Sequence, residues 1–492
     1  MAEIVAPRAV TPDEVLGLEC RHVTYCLAHD GRSDLHVAKE YVHLKDGTRF
    51  PKMRLFENYK QPFWITREGY RNHQDKKEYE SEDRLQRFES PKFKLVDSIS
   101  RALYGRPAVN PRYRQLAKSP YIYGADIETT SLIRKDYEQK YPDLYSPSAT
   151  VAVLDIETDV VRGTSEIILI TLSFKGRVIT AINTSFIPKS SDPIRNSTYM
   201  LNKLMADVVA ERGLNVEFVV CDSAGECCAA VFKRAHEWKP DFITVWNINF
   251  DLPIIISTLT KEGYDLGEVF SDPIVPKQYR YFKYNEGKRQ KVTQSGKIMP
   301  LHWADRWHTI DCPASFYFID AACLYKRIRV AKGMEPSYSL DAILNKHIGI
   351  GKLAVPEVAH LDGLAWHIEM QRNYPFEYVA YNIFDCIGVE LLDEKTNDIA
   401  KTFPILCGDS DFRNFTSNPR RIVDDLHYYY RNIKCVVATT GSDIADDDLD
   451  QGVISMKEWI ITMPAHLMDN NGLALIRELP TVRSLVYIHL AD

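Results

Sequence analysis

The sequence predicts an α/β protein built around a mixed sheet, and three observations carry that expectation. Between residues 150 and 186, three apolar or β-branched runs are separated by two short glycine-containing turns, the pattern of an antiparallel meander. From 200 to 260, helical and strand-like periods alternate, which adds strands to such a sheet and lays helices on its faces. A chain of 492 residues also exceeds what one compact core can organise, so two to four domains are expected.

Taken in order, weak strand signals at 22–27 and 35–44 suggest a small α+β domain, with 76–87 (KKEYESEDRLQR) as an exposed helix or loop. Pro107, Pro111 and Pro120 mark a linker. The run 150–154 (TVAVL) reads as a buried strand, followed by strands at 167–174 and 178–186. A helix over 200–212, a strand at 216–221, a helix at 226–238, a strand at 242–246 and a helix from Pro253 complete the alternation. Beyond a polar, basic segment (277–300) lie an apolar stretch, 316–325, and two helical patterns, 340–346 and 376–395. The last hundred residues hold an acidic loop, 443–450, and end on 485–490, which resembles a strand cut short.

Composition narrows the function classes. Hydrophobic residues at 45% and charged residues at 26% are those of an ordinary globular protein. No apolar run approaches the roughly 20 residues of a membrane span, and the N-terminus lacks the basic region and apolar stretch of a secretory signal. Ten cysteines include no C-x-x-C pair, which argues against zinc knuckles and disulfide frameworks and for a reducing cytoplasm. The net charge of −6 argues against gripping duplex DNA by bulk electrostatics, but leaves room for a local basic groove.

The tetrapeptide Asp-Ile-Glu-Thr occurs twice, at 126–129 and 155–158. In the second copy the preceding strand is continuous, so Asp155 and Glu157 share one face. Two carboxylates on a strand rim can bridge a pair of divalent cations about 3.5–4 Å apart. The first copy has Pro120 and Gly124 before it and a helical pattern after it, so Asp126 and Glu128 read as helix-capping residues.

Two further elements join the second copy. The strand at 242–246 runs into Asn247-Ile248-Asn249-Phe250-Asp251, where Asp251 alone could be a helix N-cap. Within the helical pattern 376–395, Tyr381 and Asp385 are four apart and share a face among Ala380, Ile383, Phe384 and Ile387. A carboxylate in such surroundings needs a partner, and a metal would serve.

The order D-I-E, N-x-x-F-D, Y-N-x-x-D resembles the three exonuclease motifs of family B DNA polymerases of the phage replicative type. Those belong to the DnaQ-like, DEDDy 3′–5′ exonucleases of ribonuclease H-like fold. Ser337-Tyr338-Ser339-Leu340-Asp341 is similar to the Y-S-L-D segment that precedes the third motif in that family. The resemblance implies an N-terminal domain over 1–145, an exonuclease domain over 146–395, and, over 396–492, a return to the N-terminal domain and the start of a palm. It implies two Mg²⁺ or Mn²⁺ ions, with Asp155 bridging both, Glu157 and Asp385 completing the first ion's shell, and Asp251 holding the second through water. The Tyr381 hydroxyl, with Glu157, would orient the attacking water. The second motif is one residue shorter than in many relatives, which leaves open whether Asn247 or Asn249 fills the family's DNA-contact role. Phe250 could pack against a terminal base or serve an adjacent core role.

The segment 277–297 holds seven Lys or Arg and one acid, interleaved with Tyr279, Tyr281, Phe282 and Tyr284. Basic groups among stackable rings suit single-stranded nucleic acid, which makes Arg280, Lys283, Lys288 and Arg289 DNA-binding candidates. Residues 285–288 would form a hairpin turn, where related polymerases carry a β-hairpin that helps separate primer from template. The polymerase motifs D-x-x-S-L-Y-P, K-x-x-x-N-S-x-Y-G and D-T-D are missing, and residues 486–492 resemble the strand just before or at the first of them. The expectation is therefore the proofreading part of a polymerase, either cut or naturally split, without polymerase activity of its own. Its partners would be single-stranded DNA or a frayed primer 3′ end, the polymerase half and other replisome proteins, with no membrane. Its place would be the cytoplasm, that of a host if phage-encoded. The alternatives are a non-catalytic nucleic-acid-binding or polymerase-docking module and a free-standing exoribonuclease.

Overall fold

The computed structural model describes residues 3–4, 8–107, 112–144, 146–293, 296–329, 333–349, 351, 353, 355–401 and 426–439. The expected acidic loop at 443–450, the cut-short strand at 485–490 and the palm-like stretch 486–492 lie outside these residues. The fold is mixed α/β, and the chain divides into two compact units, Tyr145–Phe403 and Ala2–Leu144 with Pro404–Asp492.

The unit Tyr145–Phe403 is organised by one six-stranded mixed sheet. Its strands are β1 (Val151–Thr158), β2 (Ile167–Phe174), β3 (Arg177–Asn183), β4 (Asn215–Cys221), β5 (Phe242–Val245) and β6 (Tyr317–Asp320), in the spatial order β4-β3-β2-β1-β5-β6. Strands β1, β2 and β3 form the antiparallel meander, while β4, β5 and β6 join in parallel. Parallel neighbours need a crossover, and helices supply it. The helices Ala224–Trp238 and Ile248–Lys261 cover one face of the sheet. There Leu154 and Ile156 of β1 bury themselves with Val231, Phe232, Leu252 and Ile255. The helix Pro375–Thr396 covers the other face with Tyr378, Tyr381 and Ile383, against Leu169 and Ile182. Because strand side chains alternate, burying Leu154 and Ile156 on one side directs Asp155 and Glu157 to the other. A break in register between Ile167 and Leu169 marks a bulge in β2, and both Ile168 and Leu169 then pack on the Pro375–Thr396 side.

Three boundaries differ from expectation. The helix expected from Pro253 begins five residues earlier, at Ile248, and carries Pro253 in its interior. The expected single helix over 200–212 is two, Pro193–Leu204 and Ala206–Arg212, broken at Met205. Residues 285–288 do not turn a hairpin. Lys283–Asn285 pairs instead with Thr309–Asp311, and the hairpin lies further on, between Gln290–Val292 and Ile298–Pro300. Local turn chemistry misleads here because the partner of the first strand is distant in sequence.

In the other unit, Val15–Leu27, Asp34–Leu44 and Thr48–Glu57 form an antiparallel meander. The helix Thr129–Lys140 packs on it through Ile133 and Tyr137, against Val23 and Ala38. A second sheet places Lys60–Thr66 between Leu85–Pro91 and Ile122–Tyr123. The stretch expected as an exposed helix or loop at 76–87 instead contributes the strand Tyr79–Ser81, paired with Cys435–Val437, and the start of Leu85–Pro91. Its high charge does not keep it exposed: Glu80 is buried and pairs with Lys77 and Arg84.

Candidate metal centre

Three elements deliver the acidic side chains. Asp155 and Glu157 come from the C-terminal end of β1, and Asp385 from the middle of the helix Pro375–Thr396. Carboxylate oxygens of all three lie within 4.8 Å of one another, and the group could hold a metal ion. Asp251 sits in the first turn of the helix Ile248–Lys261, 5% exposed, and stands outside that group of three. It nevertheless exerts the largest charge effect on Asp155, and it accepts a hydrogen bond from the Ile156 backbone, between the two β1 carboxylates. Tyr381 hydrogen-bonds Asp385, its neighbour one turn on, and its ring packs edge-on against Trp366 at 4.9 Å.

Like charges crowd this site. Desolvation, then the charges of Asp251, Glu157 and Asp385, push the Asp155 carboxyl well above the usual carboxylate range, although part of the residue reaches solvent. A hydrogen bond from the Asn382 amide opposes them. Burial pushes Asp251 up to about 8, against the pull of its backbone hydrogen bonds and with a further push from Asp320. A cation would relieve all of these at once, so the donor set fits a metal on its own chemistry.

The structure adds residues that the sequence did not single out. Asp320, at the end of β6, is 2% exposed and accepts hydrogen bonds from the Cys323 N–H at 2.8 Å and the Ile248 N–H at 2.9 Å. It thereby caps the helix Ala321–Ile328 and anchors the first residue of the helix that carries Asp251. Tyr378 donates to Glu157, and Asn382 donates to Asp155 at 2.7 Å. Asn382 was visible inside Y-N-x-x-D, but nothing in its spacing assigned it a partner. Tyr378 lies one turn before Tyr381, and that spacing was the available signal.

The DNA-binding candidates fare unequally. Phe250 is 52% exposed, and Asn247 occupies the N-cap position of its helix. Lys283, Lys288 and Arg289 are exposed, Arg289 in an ion pair with Glu286. Arg280 is not available: Glu268, the Val275 carbonyl and the Pro273 carbonyl engage all three of its guanidinium nitrogens. Three of the four interleaved rings are already engaged. Tyr279 is buried, Phe282 packs on Phe270, and the Tyr284 hydroxyl bonds His308 at 2.6 Å. The apolar side chains that face solvent here are Val292, Ile298 and Met299, on the hairpin.

The first D-I-E-T lies in the other unit. Glu128 occupies the N-cap position of Thr129–Lys140, as expected, but its side chain makes no capping hydrogen bond there. It pairs with Lys92 at 3.0 Å instead. No protein-family model and no curated protein matches the chain. Among the described residues, no helix is long and apolar enough to cross a membrane.

Proposed function

We propose that this chain is a metal-dependent 3′–5′ exonuclease that hydrolyses DNA from its 3′ end to 5′-mononucleotides, on a ribonuclease H-like scaffold. The carrying observation is convergence: carboxylates 230 residues apart in sequence, Asp155 and Asp385, meet with Glu157 within 4.8 Å, beside Asp251 and Tyr381. The same residues form the three motifs that resemble family B polymerase exonucleases. That resemblance supports the proofreading part of a phage-type polymerase, with a polymerase half and replisome proteins as partners in a cytoplasm. All-oxygen ligands suit Mg²⁺ or Mn²⁺. Asp155, Glu157 and Asp385 would hold one ion, with Asp251 serving a second.

Bound there, two such ions would supply a nucleophilic hydroxide at neutral pH and charge relief on the leaving 3′ oxygen. The protein's own part is placement. Tyr381, fixed by Asp385 and by the Trp366 ring, sets a phenol at the edge of the acidic group, where it can hold a water in line. Phe250 offers an exposed ring beside Asp251 for a terminal base. Lys283, Lys288 and Arg289 offer phosphate contacts whose strength falls with salt.

The test uses 5′-labelled single-stranded DNA, and matched RNA, in Mg²⁺. Wild type should ladder the DNA from its 3′ end, and Asp155→Ala/Glu157→Ala should abolish the ladder. A ladder that survives the double substitution would sink the assignment. Shortening of RNA alone would favour the exoribonuclease alternative, and metal binding without hydrolysis the non-catalytic one.

A further inference from the structure

Two parallel stripes run along the buried face of the helix Pro375–Thr396, each a pair of residues one turn apart. One is Tyr381 with Asp385. The other is Tyr378 with Asn382, and each of its members contacts one carboxylate of β1.

Tyr378 is fully buried, and its hydroxyl has one proton to give. Gln371 Nε2 approaches the same oxygen at 3.3 Å and His367 Nδ1 at 2.7 Å. Gln371 can only donate, so with Glu157 as the acceptor the phenol proton belongs to the carboxylate, and His367 Nδ1 carries its own. Gln371 is fixed in turn by the Thr158 carbonyl at 2.8 Å and the Val160 N–H at 3.1 Å, the residues that follow Glu157 out of β1.

Asn382 is held from behind in a similar way. Its amide oxygen accepts the Thr171 hydroxyl, and Thr171 lies 2.9 Å from the Thr180 hydroxyl, all three residues fully buried. Thr180, Thr171 and Asp155 stand in register across β3, β2 and β1, so a single row of polar groups crosses the sheet and ends at the carboxylate. With its oxygen occupied, Asn382 can present only its NH₂ to Asp155.

Both donors are neutral. A lysine or arginine would satisfy the same carboxylates, but it would neutralise them and compete with a cation. A phenol and an amide orient the oxygens and leave their charge in place. We infer that Tyr378 and Asn382 are positioning residues that lock the rotamers of Glu157 and Asp155 in a metal-receiving arrangement before the ion arrives. This rests on the metal-dependent reading above and goes beyond it, because neither residue belongs to the acidic group itself.

The experiment measures Mn²⁺ binding to the 492-residue chain by electron paramagnetic resonance, without nucleic acid. The proteins compared are wild type, Asp155→Ala, Tyr378→Phe and Asn382→Leu. Loss of partners behind metal ligands typically costs about 10–100-fold in affinity, and each positioning variant should weaken Mn²⁺ binding by that order. The Mn²⁺ concentration that half-saturates nuclease activity should rise in step, which a purely structural role would not produce. Tyr378→Phe removes one oxygen and keeps the ring, which stacks on Tyr381 at 5.7 Å, so it decides the matter if Asn382→Leu does not fold. Wild-type binding that Asp155→Ala abolishes but Tyr378→Phe leaves unchanged overturns the positioning role and spares the metal centre. Wild-type binding that Asp155→Ala leaves intact, or none at all, overturns the metal centre and the positioning role with it.

Discussion

Two identical tetrapeptides reach different ends in this chain, and the difference lies in what surrounds their carboxylates. At Asp126–Thr129 the backbone passes through a turn and a bend, and only Thr129 falls within a helix. Glu128 meets a lysine, and the Thr129 hydroxyl is consumed by His36 Nε2 at 2.6 Å. At Asp155–Thr158 the backbone stays in one strand, and the two acids project together toward a helix that brings a third. There the charged neighbours of Asp155 are other carboxylates. The same four residues thus lie beside a lysine in one copy and among carboxylates in the other.

The largest effect expected from this contrast is on catalysis. Asp155→Ala/Glu157→Ala should lower the exonuclease rate by at least about 10³-fold, the order lost with a single strong transition-state contact. Asp126→Ala/Glu128→Ala should leave the rate within about twofold, with circular dichroism confirming the fold of both. A matching loss in the second double variant would erase the distinction between the copies.

Next comes pH. Asp155 and Asp251 titrate above an unfolded aspartate, whose value is about 3.9, so the ion-free fold retains protons that the unfolded chain has released. The stability this confers is full below about pH 4 and declines as pH rises through the folded values, for Asp251 about 8. In the presence of a chelator, the thermal midpoint should therefore drop between pH 6 and pH 8. Mn²⁺ should restore more of it at pH 8 than at pH 6, and Asp251→Asn should flatten the slope. A midpoint that rises over that interval would contradict the crowding of charge at the second copy.

Smaller effects belong to the first copy. Thr129→Val leaves His36 without its buried hydroxyl partner and should cost on the order of 1–2 kcal/mol in urea unfolding. Glu128→Ala removes a partly exposed pair with Lys92 and should cost less than about 1 kcal/mol. If Glu128→Ala proved the costlier of the two, the ion pair rather than the buried hydroxyl would be what secures this segment.

Much of the six-stranded sheet was legible because its strands are short apolar runs whose alternation survives in sequence. The residues of the acidic group were legible for the same reason: β1 alternates, and Tyr381 and Asp385 sit one helical turn apart. What stayed hidden is what distant segments do to one another. Thr171 and Thr180 read as ordinary β-branched strand residues, and only the register across three strands reveals the polar row they form with Asn382. Gln371 carries no local signal for partners more than 200 residues away. The rings near Arg280 looked ready to stack because sequence spacing does not say which way a loop side chain turns.

Pro253 has one consequence for how the site can be damaged. A proline has no amide hydrogen, so the Asn249 carbonyl has no donor four residues on. The turn bearing Asp251 is thus loosely stitched to the remainder of its own helix, and it is fastened instead to β6 through Asp320 and the Ile248 amide. A strand two places along the sheet accordingly acts as the mooring for one of the four acids. Slackening that tether would shift the placing of Asp251 onto its hydrogen bond from the Ile156 backbone.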